Sequence, residues 1–196
     1  MDKRNLSSFR FLLYAFLFLL VVMFVLPFFS VPSYSIVKNT TSHLGAQGAP
    51  HAWLMNTAFI LLGLSCLIEA WLHLKTFWFQ KVVLSIFGVS LAFTGIFQHA
   101  PIINGLVYSP IEDSMHSIFA SIVGFSFILF EFSTVFIEQN PKWRLVALAV
   151  GLVVTMLSLL MLWLPDYSGI WQRAIFIISF TWLFSYLRRA GTPQSN

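Results

Sequence analysis

Six long apolar stretches dominate this sequence, and each has the length that a helix needs to cross a lipid bilayer. About 20 apolar residues span the roughly 30 Å hydrocarbon layer as a helix. The runs are continuous and lack the inside–outside alternation of barrel strands, so helices are expected. The sequence therefore predicts an all-α integral membrane protein, a six-transmembrane-helix bundle that forms a single polytopic domain over residues 1–196. The predicted spans are Phe9–Phe29, His51–Leu74, Phe77–Gln98, Ser114–Ile137, Trp143–Leu164 and Ile170–Leu187.

The composition excludes most other classes of protein. Only 9% of the 196 residues are charged and 58% are hydrophobic, whereas a soluble domain carries about 25% charged residues. The 17% aromatic content excludes a disordered chain. Cys66 is the only cysteine, which excludes a secreted domain stapled by disulfides. A soluble enzyme and a nucleic-acid-binding module are excluded by the same numbers.

The basic residues predict the orientation of the bundle. Only Lys38 and Arg173 fall on one side of the predicted spans, and the other nine of the eleven basic residues fall on the opposite side. Because positive loops are retained in the cytoplasm, both termini are predicted to be cytoplasmic, in a multi-pass protein of the cell membrane. Membrane lipids are the expected partners of these charges, and no nucleic acid is needed to explain them. The nine residues are Lys3, Arg4, Arg10, Lys75, Lys81, Lys142, Arg144, Arg188 and Arg189.

Stripes of small residues predict which helices pack most closely. In lipid, helices associate where small side chains let the backbones approach. The third, fourth and fifth spans carry such stripes, which predicts that these three helices form the centre of the bundle. The stripes are Ser85, Gly88, Ala92 and Gly95; Ser117, Ala120, Ser121 and Gly124; and Ala147, Gly151, Thr155 and Ser158.

Most of the polar chemistry is predicted at the non-cytoplasmic side, in the two long loops Ser30–Pro50 and His99–Asp113 or at the helix ends beside them. A zinc site is one hypothesis, because imidazole and carboxylate are zinc ligands and Asp113 and His116 are three residues apart on one helical face. Such a site would activate water in a membrane-embedded, metal-dependent hydrolase or transferase that acts on a lipid. Its candidate ligands are His43, His99, Asp113 and His116.

Two other hypotheses stay open for the same cluster. One is a polar pocket without a metal, which binds a lipid headgroup or a small ligand. The other is a b-type haem held between histidines, for which His51, His99 and His116 are the candidates.

Two acidic residues interrupt the predicted spans. Glu69 can pair with His73 four residues later and reach the headgroups. Glu131 lies deeper in the fourth span, and an intramembrane carboxyl is a functional candidate by default. A transporter is a further alternative, although such proteins usually show broken helices or repeated halves, and this sequence shows neither.

Several short segments resemble the membrane family called domain of unknown function 998, over roughly Phe11 to Arg188. They are Ser42-His43-Leu44-Gly45, Asn56, Gly63, Gly95-Ile96-Phe97, His116 and Gly169-Ile170-Trp171-Gln172-Arg173. More distantly, the chain resembles the six-helix Frag1/DRAM/Sfk1 group. The first resemblance implies a prokaryotic six-helix membrane protein without an assigned activity. It also implies a set of recurrent polar positions as ligand-binding candidates: Ser42, Asn56, His116, Gln172 and Arg173.

These observations lead to a preferred functional hypothesis. The outer pocket binds a headgroup or small ligand, Arg173 pairs with phosphate or with Asp113, and His116 and Asn56 supply hydrogen bonds. The metal-dependent enzyme is the alternative.

Overall fold

The computed structural model describes residues 3–74, 77–103 and 105–190, with side chains from residue 11 onward. Its six helices are all long and apolar enough to cross a membrane, and no strand occurs among these residues. The prediction of an all-α polytopic membrane protein is therefore confirmed. The helices are α1 (Lys3–Val25), α2 (Ala52–His73), α3 (Trp78–Ile96), α4 (Pro110–Ile137), α5 (Pro141–Trp163) and α6 (Ser168–Ala190).

Prolines and capping residues set the helix ends. Pro27 lacks an N–H, and α1 gives way to a 3₁₀ turn at Leu26–Phe29. The helices α4 and α5 begin earlier than predicted, at Pro110 and Pro141, because each proline occupies the first turn behind a polar cap. The Ser109 hydroxyl accepts from the Glu112 N–H, and Asn140 Oδ1 accepts from two backbone N–H groups of α5.

The helices alternate in direction, which sorts the connections onto two ends. We call the end that holds residues 30–51, 97–109 and 164–167 the histidine end, and the opposite end the basic end. The basic end carries Lys81, Lys142, Arg144, Arg188 and Arg189. Lys75 and the side chains of Lys3, Arg4 and Arg10 lie outside the described residues. The assignment of the basic end to the cytoplasm stays a prediction.

The closest helix pair is α2 and α3. A Cβ added at Gly63 would lie 2.6 Å from the backbone nitrogen of Ala92, and one added at Gly88 would lie 2.6 Å from the Gly63 carbonyl oxygen. Neither distance is compatible with a real side chain. The two backbones therefore touch directly, as small residues allow in membrane helices.

The prediction that spans three to five form the centre is wrong for α4 and α5. In the most apolar window of each helix, 56% of residues are buried in α3 and 50% in α2, but only 28% in α4 and 22% in α5. The stripe on α5 leaves space, since a Cβ at Gly151 would meet nothing closer than 3.4 Å, and Gly124 of α4 faces open space. Small residues thus mark a close contact only where another backbone approaches.

Aromatic side chains fill the space between α6 and its neighbours. The Phe180 ring lies 5.7 Å from that of Phe16 in α1 and 5.9 Å from that of Phe87 in α3. On the α4 side, Phe130 contacts Trp182 and Tyr186 edge to face at 5.9 Å. Such geometry adds to the free energy of apolar burial. This aromatic layer separates the two ends of the bundle.

The contact between α2 and α3 generates a first prediction. We expect Gly88→Ala to lower the free energy of unfolding by about 1–3 kcal/mol, because the added methyl group must push α3 away from α2. The measurement is the unfolding midpoint of the purified protein in one detergent. Gly124→Ala is the matched control and should leave the midpoint unchanged; an equal loss in both variants would contradict the close approach.

Candidate functional site

A single buried arginine holds the first long loop on the bundle. Arg173, in the second turn of α6, is only 4% exposed. Its guanidinium has five N–H donors and no acceptor, so it suits a pocket made of oxygen atoms. It donates to four backbone carbonyls and one hydroxyl: Met23 O at 3.3 Å, Ile36 O at 3.0 Å, Asn39 O at 3.1 Å, Gly169 O at 2.9 Å and Tyr34 Oη at 2.6 Å.

These contacts differ from the role predicted for Arg173. The expected pairing with Asp113 is absent, because Asp113 accepts a hydrogen bond from the Ala100 N–H at 2.8 Å and contacts His99. Since the donors of Arg173 serve the chain's own carbonyls, the arginine orders the loop.

Three other candidate residues also bind the chain itself. Gln172 Oε1 accepts from the N–H and the hydroxyl of Thr41, at 2.7 and 2.6 Å. Asn56 Nδ2 donates to the Gly45 carbonyl at 3.1 Å. Ser42 lies buried between these two points, in the 3₁₀ turn Thr41–Gly45. Together they fix the turn that carries His43.

Three of the five histidines converge at the histidine end. The rings of His43 and His99 stack with centroids 4.7 Å apart, and the rings of His99 and His116 lie 5.2 Å apart. His99 Nδ1 is 2.9 Å from Asp113 Oδ1. We call these four residues the histidine site. His51 lies outside it: this residue is exposed and precedes α2 with a left-handed backbone, φ 55°.

Hydrogen-bond partners assign the imidazole protons. His116 Nδ1 lies 2.9 Å from both the Thr94 and Phe97 carbonyl oxygens, which only accept, so this nitrogen carries the proton. His99 Nδ1 lies 2.9 Å from Asp113 Oδ1, a carboxylate oxygen that only accepts, so we place the proton of this ring on Nδ1 as well. In a ring whose one proton is on Nδ1, the Nε2 atom is an acceptor, and no described residue hydrogen-bonds to Nε2 of His99 or His116.

The surroundings keep two of the imidazoles neutral. The pKa of His43 is lowered from its ordinary 6.5 to about 4: burial is the largest cause, the neighbouring His99 and His116 add to it, and Asp113 opposes it. Burial also lowers the pKa of His99, with His116 adding to this effect and the Asp113 carboxylate opposing it. At neutral pH the site consequently presents lone pairs beside one carboxylate.

Gln47 belongs to the polar residues expected at this end of the bundle, and it joins the two long loops, a role that the sequence did not predict. Its side chain donates to the Gln98 and Ser109 carbonyls at 3.2 and 3.0 Å and accepts from the Ser109 N–H at 2.8 Å. Its own N–H donates to the His99 carbonyl at 2.9 Å. No motif marks such a residue, because its partners lie 51 and 62 positions away.

A small cavity opens beside the histidine site. It measures about 10 Å³ and is lined by His43 and Gln47 together with apolar side chains such as Val31 and Leu106. About this volume holds one water molecule. In this conformation, the cavity admits a group the size of an ammonium or hydroxyl.

The four proposed zinc ligands come together without the geometry of a metal centre. Among the described residues, no group of three or more His, Cys, Asp or Glu side chains is placed to hold a metal ion. The Nδ1 atoms of the three histidines instead face Thr40, Asp113 and the carbonyls beside His116. The zinc hypothesis therefore finds no support in the side-chain geometry.

The two intramembrane acids have different surroundings. Glu69 Oε2 lies 2.9 Å from His73 Nε2, as the spacing predicted. Glu131 is fully buried, and neither of its carboxyl oxygens has a hydrogen-bond partner. Near it in sequence, Thr134 belongs to a buried polar network with Gln80 and Tyr186 that the sequence analysis did not identify.

Six apolar helices, joined by long loops whose backbone is held by buried side chains, define a polytopic α-helical membrane protein. Within that class, the chain belongs to the family described as Protein of unknown function (DUF998), whose family model matches residues 12–189. No curated protein and no solved structure matches the chain. The more distant resemblance to the Frag1/DRAM/Sfk1 group stays a prediction.

The role of Arg173 can be tested by substitution. We expect Arg173→Gln to lower the free energy of unfolding by about 3 kcal/mol or more, because several buried carbonyls lose their charged donor. The measurement is the unfolding midpoint, together with the rate of proteolysis within residues 30–51. Arg188→Gln, at an exposed position of the same helix, is the control. Similar small losses in both variants would contradict this role.

The lowered pKa of His43 predicts a dependence of stability on pH. Below pH 6.5 the unfolded histidine binds a proton that the folded one does not, so stability falls as the pH drops from 6.5 towards about 4. We expect the unfolding midpoint to decline across this window. His43→Gln should flatten the decline, whereas His51→Asn should preserve it. A wild-type midpoint that is constant over the window would refute the assignment.

Proposed function

We propose that this membrane protein binds a small hydrogen-bond-donating group at the histidine site, supplied by a lipid headgroup or by a small ligand. The observation that carries the proposal is the set of imidazole Nε2 atoms that face no protein donor, next to the Asp113 carboxylate. Neutral imidazoles and a carboxylate attract ammonium and hydroxyl groups and repel phosphate.

The position of the site supports a ligand that approaches from the membrane surface. His116 lies in the second turn of α4 and His99 lies in the loop just before that helix. The side chains of His99 and Asp113 are 29% and 28% exposed. A group that reaches the helix ends can therefore contact them, while Thr94 and Phe97 hold His116 behind them.

The cavity beside the histidine site is small. It is lined by His43 but not by His99, Asp113 or His116, and about 10 Å³ accommodates one small polar group and no whole headgroup. The primary ammonium of an ethanolamine headgroup fits this description, because it carries three N–H donors on a short arm. The trimethylammonium of a choline headgroup has the same charge but is larger and has no donor.

This difference between headgroups provides the test. The protein is placed in vesicles that contain equal amounts of phosphatidylethanolamine and phosphatidylcholine, extracted gently, and weighed by native mass spectrometry with its retained lipids. We expect retention of the ethanolamine lipid over the choline lipid. His99→Asn should weaken this preference about tenfold, since a charge-assisted hydrogen bond contributes about 1.5–3 kcal/mol.

The controls separate the site from general lipid adhesion and a lipid from a soluble ligand. His51→Asn alters a histidine outside the site and should retain the wild-type preference. The unfolding midpoint is also measured with added phosphoethanolamine, the free headgroup. A raised midpoint shows that the soluble headgroup is sufficient for binding. If only the lipid raises the midpoint, binding also requires the acyl chains. Equal retention of both lipids by wild type, with no shift by the free compound, would refute the proposal.

A further inference from the structure

Glu131 is a buried acid that the histidine site does not use. It lies in α4 with no exposed surface, and both of its carboxyl oxygens lack a hydrogen-bond partner. On the α5 side it packs near Gly151, where an added Cβ would lie 3.4 Å from the Glu131 Cβ. An ionised carboxylate without a partner is among the most costly groups to place in hydrocarbon.

No cation is available to pair with this carboxyl inside the bundle. The parts of the helices that pack against α4 contain no lysine or arginine: residues 82–96 of α3, 145–163 of α5 and 174–187 of α6. Tyr186 is the only titratable side chain in these three stretches. Lys81 points instead at Trp71 and Trp78, with its ammonium 5.1 and 5.6 Å from the ring centroids. A metal cation would need several more oxygen ligands than one carboxyl provides.

A buried chain of polar side chains continues from Glu131 towards the basic end. Thr134 follows Glu131 by three residues, and its hydroxyl accepts from Gln80 Nε2 at 2.9 Å. Gln80 Oε1 accepts from the Tyr186 hydroxyl at 3.0 Å. Three residues beyond Tyr186, Arg189 pairs with Glu138 at 3.1 Å. Side chains three residues apart lie on one helical face, so these groups lie on the basic-end side of Glu131, although no hydrogen bond joins them to its carboxyl group.

The opposite direction offers no such series. Towards the histidine end, the next buried polar side chain of α4 is Ser126, whose hydroxyl is bonded to the Ile122 carbonyl of its own helix at 2.6 Å. Beyond it, the rings of Phe87 and Phe127 lie 5.6 Å apart in the aromatic layer. Within α4, buried polar side chains therefore lie within one turn of Glu131 on the basic-end side only.

We propose that Glu131 is a proton-binding site inside the membrane bundle, which holds a proton at neutral pH and exchanges it with solvent from the side of the basic end, where Thr134, Gln80 and Tyr186 lie. The bound ligand is a proton on the carboxyl group. The amide nitrogen of Gln80 only donates, so these side chains form the polar side of the site and do not themselves relay the proton. This site is independent of the histidine site and of its ligand.

Infrared spectroscopy tests whether the proton is present. Protonated carboxyl groups absorb above the amide bands and shift in D₂O, whereas exposed carboxylates are ionised at neutral pH. Wild-type protein in lipid vesicles at pH 7 should show this band. Glu131→Gln, which has the shape of the protonated acid, should lose it, and Glu138→Gln should keep it. Glu69→Gln should also keep it, which separates Glu131 from the other intramembrane acid.

A wild-type protein without this band at pH 7 would overturn the proposal, and this measurement requires no variant to fold. A band that persists in Glu131→Gln, or one that disappears in Glu69→Gln alone, would overturn it as well.

The route is tested by the rate at which the band shifts after transfer from H₂O to D₂O. We expect Tyr186→Phe to slow this exchange severalfold while the band itself remains. Tyr167→Phe is the matched control, because Tyr167 is exposed at the histidine end, and its exchange should match wild type. Unchanged exchange in Tyr186→Phe would refute exchange from the basic-end side.

Discussion

The order of the histidine end depends on one interaction, the donation of hydrogen bonds by Arg173 to backbone carbonyls. Carbonyl groups beside the hydrocarbon layer need donors, and the first long loop has no strand or helix ladder to supply them. The guanidinium meets several of them at once and fixes the loop against α6. Gln172 and Asn56 then hold the next turn, which places His43 against His99. The geometry of the histidine site therefore depends on residues that are not part of the site.

The polar residues that carry the family resemblance have a structural role in this protein. Gln172, Asn56 and Arg173 bind the chain, and their substitution would act on a ligand only through the position of His43. In the proposed function, the groups left for a ligand are the imidazole nitrogens and the Asp113 carboxylate, which accept hydrogen bonds. A site made of hydrogen-bond acceptors selects ligands that carry a donor, because a buried acceptor left without a donor is costly. An arginine pocket would instead have selected phosphate.

The sequence predicted what depends on length and hydrophobicity and missed what depends on distant partners. All six spans could be predicted because hydrocarbon thickness requires long apolar runs. The sequence could place His43, His99 and His116 at the same end of the bundle, but it could not predict the distances between their rings. Gln47 and Gln80 carried no signal, as their partners lie more than 50 residues away. The small residues of α5 led to a wrong prediction of central packing, because small residues permit a close backbone contact without creating one.

The two polar regions lie far enough apart to act separately. His116 and Glu131 belong to the same helix, and the 15 residues between them correspond to about 22 Å at 1.5 Å per residue. Two unit charges at that distance interact by about 0.8 kcal/mol at an effective dielectric constant of 20, which is about half a pKa unit. Between them, the ring of Phe87 packs against those of Phe127 and Phe180. A ligand at the histidine site therefore affects the proton on Glu131 only if it shifts α4 against its neighbours, because direct electrostatic coupling is too weak.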